Sequence, residues 1–271
     1  MPDFAGAAGA LLETMRATRP LVQNITNFVA MDIQANALLA IGASPAMVHA
    51  PEETPEFVAF SGALVINIGT LSSQWLAAMH VAASSAHAMG KRWALDPVGA
   101  GATAYRDGAV AALLAHRPAL IRGNASEIMA VSRIVRASDA GGRPNGVDSV
   151  NATSEAENAA RALAAKLGCV VAATGAVDFV TDGARDMRLA NGAPVMERVT
   201  ALGCALTGVC GAFLAVEKDV FAATAAALAV YGVAGEMAAA DAAGPGSFRV
   251  AFVDRLASIT AQDVAARLTI A

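Results

Sequence analysis

The chain has 271 residues, of which 56% are hydrophobic and 15% are charged, and it carries a net charge of −4 at pH 7. This length fits one large α/β domain or two small ones, and the acidity argues against the clustered Lys and Arg of a nucleic-acid-binding surface. Three cysteines without CxxC or His-paired spacing argue against a zinc motif and favour a reduced, cytoplasmic setting.

Short apolar runs that end in Gly, Pro, Asn or Asp alternate along the chain with longer Ala- and Leu-rich stretches of helical period. This alternation predicts an α/β fold with a mostly parallel sheet and helices on both faces. The predicted strands are Leu21–Ile25, Ala46–His49, Leu64–Ile68, Trp93–Leu95, Leu120–Arg122, Val170–Ala173, Phe179–Thr181 and Met187–Ala190. The predicted helices are Ala8–Ala17, Val29–Ile41, Glu52–Phe60, Ser73–Met89, Gly108–Leu114, Ser126–Val131, Ser154–Leu167, Cys204–Val216, Val220–Ala239 and Phe248–Ala266.

Several other segments bear on domain organisation. The N-terminus has an early acidic residue and no basic run before an apolar segment, unlike a signal peptide. The apolar stretch Val220–Gly235 is shorter than a membrane span requires, so we predict a buried core helix and no membrane contact. Ser138–Asp148 is the most loop-like segment, but strands continue after it and favour one domain over residues 1–271. Asp178–Asp182 and Arg185–Ala190 are predicted to form a hairpin.

Polar or glycine-rich residues follow almost every predicted strand. Because parallel strands bring their carboxyl ends to one edge of a sheet, ligands bind there. The segments concerned are QNITN, ASPAM, NIGT, DPVGAG, RGNASE and ATGAVD. The sequence therefore predicts a single ligand site at that edge.

The stretch DPVGAGAT begins with Asp96 at the end of a strand. A carboxylate in this position can hold Mg²⁺ directly or through water, and the glycines let the backbone approach phosphate. A dinucleotide-binding turn is the alternative, but the third glycine of that motif is replaced by Ala104 and the next strand ends in Arg122. A simple strand end is the structural alternative.

The stretch RGNASE follows the next strand. Asn124 and Glu127 are three residues apart at a helix start, where they could share a metal-bound water cluster or form a capping box, and the two interpretations are evenly weighted. Arg122 suits a bidentate contact with a nucleotide phosphate, or else a surface ion pair. Thr174, in ATGAVD, could contact phosphate, although by itself that segment is more typical of a β-turn.

The stretch TALGCALTGVCGAF follows a strand-like approach, Val195–Val199, and opens a helix. The unpaired N–H groups of a helix start suit an anion, which marks Gly203 as a candidate site residue. Cys204 stands at this opening, where the pKa of a thiol falls. Because no histidine is nearby in sequence to act as a base, a role in positioning a substrate hydroxyl fits Cys204 better than covalent catalysis. Buried packing is the structural alternative.

These motifs, in this order, resemble hydroxyethylthiazole kinase, a family that phosphorylates 4-methyl-5-(2-hydroxyethyl)thiazole with ATP in thiamine salvage. The resemblance extends from about Pro20 to Phe213 and includes PLVQNITNFVAMDIQAN, ALVINIGTL, LDPVGAGAT, IRGNASEI and TALGCALTG. It implies a ribokinase-like fold, Mg²⁺, ATP as co-substrate, and a cytoplasmic homotrimer whose thiazole pockets lie between subunits.

The resemblance also assigns roles to individual positions. Arg122 and Thr174 would contact ATP, whereas Asp96 and Glu127 would organise Mg²⁺. Cys204 and Gly203 would lie at the transfer end of the site. The residues assigned to the thiazole pocket are Met47, Ala201, Asn24 and Gly69.

The chain departs from the family pattern at its central turn. Ala201 stands where the family usually carries glycine, so its Cβ is expected either to crowd the substrate or to exclude a backbone of positive φ, and Leu202 adds bulk near the anion site. Three other functions stay open: a related vitamin-precursor kinase of the pyrimidine or pyridoxal type, a ribokinase-fold lyase acting on hydrated nicotinamide nucleotides, and a non-catalytic thiazole or nucleotide binder.

Overall fold

One sheet of eight strands runs through the part of the chain described by the computed structural model, residues 4–139 and 152–271. The strand order is β2-β1-β3-β4-β5-β6-β7-β8. The strands are β1 Leu21–Ile25, β2 Ser44–Ala46, β3 Ala63–Asn67, β4 Trp93–Asp96, β5 Leu120–Asn124, β6 Val170–Thr174, β7 Asp178–Thr181 and β8 Asp186–Leu189. The pairs from β2 to β6 are parallel, and the predicted hairpin adds β7 and β8 antiparallel at one edge.

Helices cover both faces of this sheet, as the sequence predicts. They are α1 Phe4–Thr18, α2 Met31–Ile41, α3 Thr54–Phe60, α4 Ser73–Ala88, α5 Ala104–Leu114, α6 Ala125–Asp139, α7 Ala152–Leu167, α8 Leu202–Val216, α9 Val220–Asp241, α10 Pro245–Ser258 and α11 Ala261–Arg267. Alternate strand residues point to opposite faces, so the sheet separates two apolar cores. Val65 belongs to the core under α1, α2 and α8 to α10, whereas Leu64 and Ile66 belong to the core under α3 to α7.

Helix α8 lies close against the centre of the sheet because of one glycine. A Cβ added at Gly211 would lie 2.6 Å from Cγ2 of Val65, which is closer than Cβ atoms come to other atoms in proteins. The first turn of α8 therefore lies near the carboxyl ends of β3 to β6, where the site is found.

Helix α9 is long and apolar enough to cross a membrane by length and composition, but 83% of its apolar window is buried inside the protein. Its surroundings are those of the core helix that we predicted. At 22 residues it extends beyond the stretch singled out in the sequence.

Three predicted elements were wrong in kind or place. Pro194–Arg198 forms a 3₁₀ helix, not a strand, and Pro194 at its start cannot donate to a strand ladder. Strand β2 lies earlier than predicted, because Ser44–Ala46 pairs with the start of β1. The last predicted helix is divided before Thr260, which begins α11 in a capping box with Asp263.

Most of the predicted loop Ser138–Asp148 lies outside the described residues.

Candidate active site

A cavity of about 550 Å³ lies at the carboxyl ends of β4, β5 and β6, beside the first turn of α8. Residues 191–194, Met196 and Tyr231 form part of its wall. The site residues predicted from the sequence that border the cavity together are Asp96, Arg122, Glu127, Thr174, Ala201, Gly203 and Cys204. The cavity is therefore the place where most of the predicted site residues meet.

The backbone enters α8 through a left-handed residue. Ala201 has φ 64° and ψ 10°, and its carbonyl accepts the N–H of Ala205 at 2.9 Å. A residue with a Cβ is disfavoured in this conformation by about 1–2 kcal/mol, yet Ala201 adopts it, so the expectation that a Cβ excludes positive φ at this position was wrong. Leu202 borders the cavity but is packed largely into the core, and its carbonyl accepts the hydroxyl of Tyr231 at 2.7 Å.

Ala201→Gly is expected to raise the free energy of unfolding by about 1 kcal/mol, because glycine adopts positive φ without a steric penalty. For a chain of this size the melting temperature should rise by roughly 2–4 °C, measured by differential scanning calorimetry. Ala193→Gly is the control, since Ala193 borders the same cavity with φ −143° and glycine there should lower the melting temperature. A lower melting temperature for Ala201→Gly would contradict the inferred strain.

The guanidinium of Arg122 lies against the first turn of α8. A Cβ added at Gly203 would lie 2.9 Å from Nη1 of Arg122, so glycine leaves room for this approach. Arg122 is largely buried, its Nη2 donates to Oγ1 of Thr174, and its Nε has no hydrogen-bond partner among the described residues. A helix N-terminus and a guanidinium both attract anions. Because the start of α8 and the guanidinium lie together, beside the unpaired Nε of Arg122, this part of the cavity suits a phosphate group.

Asp96 is a buried carboxylate at the end of β4. Its Oδ2 accepts from Nδ2 of Asn67 at 2.8 Å and from Oγ1 of Thr207 at 2.7 Å. Burial raises the pKa of Asp96 to about 6, while the nearby Arg122 guanidinium opposes that rise. Asp96 is therefore ionised at neutral pH, and it brings negative charge to the same cavity as the anion-attracting groups.

Glu127 makes the capping box that the sequence left open. Its Oε2 accepts the N–H of Asn124 at 2.8 Å, and Oδ1 of Asn124 accepts the N–H of Glu127 at 2.9 Å. Its Oε1 accepts the N–H of Gly99 at 2.9 Å, which ties the DPVGAG loop to α6. Both carboxylate oxygens hold backbone N–H groups, yet each keeps a lone pair that a metal-bound water could donate to.

The thiol of Cys204 is partly buried in the first turn of α8 and accepts from Nδ2 of Asn27 at 3.4 Å. Burial, with a further contribution from the Asp96 charge, raises the pKa of Cys204 to about 11. The predicted lowering of this pKa was therefore wrong, because loss of water around the thiol raises it. A neutral thiol can position a substrate hydroxyl, but it is a poor base. Cys169 and Cys210 are buried.

Three residues predicted for the substrate pocket do not border this cavity in the described part of the chain. Asn24 is buried, and its Oδ1 accepts from Nε2 of Gln34 at 3.0 Å. Gly69 lies against Asn27, since a Cβ there would be 2.6 Å from Nδ2 of Asn27. Met47 is partly buried just after the edge strand β2. Their role in substrate binding stays a prediction.

Sequence reasoning did not single out several residues that shape the site. Thr207 had a usable signal, because it follows Cys204 by three residues and so shares its helix face. Asn27 ends the segment QNITN and Asn67 begins the segment NIGT, but neither had a spacing that linked it with Asp96. Asp178 borders the cavity and accepts the N–H of Gly175 at 3.0 Å, and burial raises its pKa to about 6.

The fold and the site together define a class of protein. A mostly parallel sheet, a cavity at its carboxyl edge, a buried carboxylate and a helix start beside an arginine form a ribokinase-like α/β fold with an anion-binding site. A ribokinase-like superfamily protein from Enterococcus faecalis shares this fold with a TM-score of 0.58 at 15% identity, over 87% of this chain and 86% of that one.

The chain belongs to the hydroxyethylthiazole kinase family, whose model matches residues 12–262. It is 56% identical to the hydroxyethylthiazole kinase of Cereibacter sphaeroides over 262 residues, which cover 96% of this chain and 97% of that one. The structure of the hydroxyethylthiazole kinase protein from Pyrococcus horikoshii superposes with a TM-score of 0.89 at 39% identity, over 98% of each chain.

Proposed function

We propose that this protein transfers the γ-phosphoryl group of ATP to the primary hydroxyl of 4-methyl-5-(2-hydroxyethyl)thiazole, a salvage step of thiamine biosynthesis. Membership of the family supports the reaction. The structural observation that carries it is the meeting of the Arg122 guanidinium with the Gly203 turn in the cavity that also holds Asp96 and Cys204.

The cavity divides into a nucleotide side and a transfer side in this proposal. Arg122 and Thr174 bind the phosphates of ATP, and the N–H groups around Gly203 receive the γ-phosphoryl oxygens. Phosphoryl transfer passes through a loose transition state, so positioning and charge stabilisation contribute more than a strong base. This agrees with the neutral thiol of Cys204.

The residues present fit Mg²⁺, a hard cation that prefers oxygen ligands. Asp96 offers a buried carboxylate beside the phosphate side of the cavity, and Glu127 retains lone pairs for a metal-bound water. When bound, Mg²⁺ neutralises charge on the phosphate oxygens. Asp96 and Glu127 would hold it, and the Arg122 guanidinium would share the remaining phosphate charge.

Replacing Cys204 tests whether its thiol contributes to the transfer. Cys204→Ala is expected to lower kcat by roughly 10- to 100-fold if the thiol orients the hydroxyl or gives modest help with its proton. Cys204→Asp should retain activity, because a carboxylate can also receive that proton. Steady-state kinetics with melting curves measures both variants. Unchanged turnover of Cys204→Ala would remove the thiol from the mechanism, and an inactive, folded Cys204→Asp variant would indicate a packing or covalent role.

We also propose a cytoplasmic homotrimer whose thiazole pockets lie between subunits. Met47, Asn24, Gly69 and Ala201 are the candidate thiazole contacts. Met47 lies outside the cavity of the single chain and beside an edge strand, which fits a pocket completed by a neighbouring copy. Light scattering coupled to size-exclusion chromatography tests the assembly, and a monomer at working concentration would contradict it.

A coupled ADP-release assay tests the reaction. The thiazole alcohol is compared with a hydroxymethylpyrimidine, pyridoxal and a sugar alcohol, with and without Mg²⁺. The thiazole alcohol should give the highest kcat/KM. Release of ADP with another alcohol alone would favour a related vitamin-precursor kinase, and no release above background with any of them would overturn the kinase function.

A further inference from the structure

One buried asparagine joins the carboxyl ends of β1, β3 and β4 by hydrogen bonds, and it has no role in the reaction proposed above. Asn67 ends β3 and is 1% exposed. Its Oδ1 accepts from Nδ2 of Asn27 at 2.8 Å and from the N–H of Gly69 at 2.9 Å. Its Nδ2 donates to Oδ2 of Asp96 at 2.8 Å. One amide therefore links two groups that border or contact the reacting end of the cavity.

The orientation of this amide has no alternative. The N–H of Gly69 is only a donor, so the group facing it must be the oxygen of Asn67, which places the nitrogen against Asp96. Reversing the amide would set two donors against each other and an oxygen against a carboxylate. The backbone thus determines which atom of Asn67 meets Asp96.

The same reasoning extends to Asn27. Its Oδ1 accepts the N–H of Ala30 at 3.0 Å, so its Nδ2 must face Oδ1 of Asn67 and Sγ of Cys204. Gly69 confines this amide, because a Cβ there would lie 2.6 Å from Nδ2 of Asn27. Since the sulfur accepts a hydrogen bond from Asn27, the thiol proton is left free to point elsewhere.

We propose that Asn67 is a positioning residue of the phosphoryl transfer, which fixes Asn27 against the Cys204 thiol and orients the Asp96 carboxylate through the same amide. The proposal rests on the function proposed above. Asp96 lies on β4 and Cys204 on α8. Asn67 joins them through Asn27, in addition to the direct hydrogen bond from Thr207 of α8 to Asp96. Small displacements of reacting groups reduce turnover strongly, by up to about 100-fold for 1 Å.

Two variants of Asn67 test this role. Asn67→Leu keeps the shape but removes both hydrogen-bonding arms, and we expect kcat to fall roughly 10- to 100-fold with the KM for ATP unchanged within about twofold. Asn67→Asp keeps the acceptor for Asn27 but sets a second carboxylate oxygen against Asp96, so its kcat should fall at least as far. Each kcat is divided by the folded fraction, measured from melting curves and from the stoichiometry of ATP binding by calorimetry.

Thr54→Val is the matched control, because Thr54 is a buried residue of α3, away from the cavity, whose hydroxyl donates to the carbonyl of Ala50 at 2.8 Å. It should change stability and leave kcat per folded enzyme within about twofold. If Asn67 had only a structural role, its variants would show the same result as Thr54→Val, namely changed stability with the parental kcat per folded enzyme. Folded Asn67→Leu or Asn67→Asp with parental kcat overturns the proposal, whereas a parent protein that releases no ADP overturns the kinase function itself.

Discussion

Replacing Asp96 by asparagine is expected to lower kcat by at least about 10³-fold, which corresponds to about 4 kcal/mol of transition-state stabilisation. The substitution preserves volume but removes the buried negative charge beside the phosphate side of the cavity. It also sets an amide against Asn67 and Thr207, both of which point donors at Oδ2 of Asp96. The loss should be seen at saturating ATP and Mg²⁺ in steady-state kinetics.

The control for this substitution is Asp241→Asn. Asp241 is partly exposed, pairs with Arg255, and is outside the cavity lining, so the same change of charge there should leave kcat within about threefold. A folded Asp96→Asn variant with turnover within tenfold of the parent would show that the buried carboxylate does not serve the reaction.

The pKa of Asp96 also predicts a pH dependence. Burial raises that pKa to about 6, so the carboxylate is ionised above this pH and protonated below it. We expect kcat/KM to fall as the pH drops through about 6. Asp178 has a similarly raised pKa in the same cavity, and Asp178→Asn identifies the group, because the acidic limb should persist in that variant if Asp96 is responsible.

Replacing Arg122 is expected to have the second largest effect. Arg122→Met should lower kcat/KM for ATP by roughly 10²- to 10³-fold, because it removes the guanidinium at the start of α8 and leaves the phosphate without its paired donors. Arg122→Lys should recover only part of this loss, since an ammonium carries the charge without the planar fork. Calorimetric titration with a non-hydrolysable ATP analogue measures the binding component separately.

Arg249→Met is a suitable control for Arg122. It removes the same charge from an exposed side chain of α10 that pairs with Asp32, and it should leave ATP binding within about twofold of the parent. Parental ATP affinity and turnover in a folded Arg122→Met variant would contradict the assignment of the anion site.

The ends of the predicted strands supply most of the site. Asp96, Arg122 and Thr174 each lie at or just after the end of a predicted strand, and the fold brings all three to one cavity. The reason is that parallel strands share one direction, so residues at successive carboxyl ends become neighbours. The turn before α8 was predicted from a different signal, because a helix start rich in small residues is visible in the local sequence. Met47 lies in one of the strand-end segments, but its contact with the substrate was predicted only by resemblance, and the single chain does not place it at the cavity.

Local pattern and backbone chemistry were enough to predict the alternation of strands and helices and the edge of the sheet where ligands bind. Packing of the whole chain decided three further points: Arg122 lies against the α8 turn, Asn67 joins Asn27 to Asp96, and the Cys204 thiol is neutral. These outcomes depend on distances between residues remote in sequence and on the loss of water around them, and both arise only when the sheet and helices pack together.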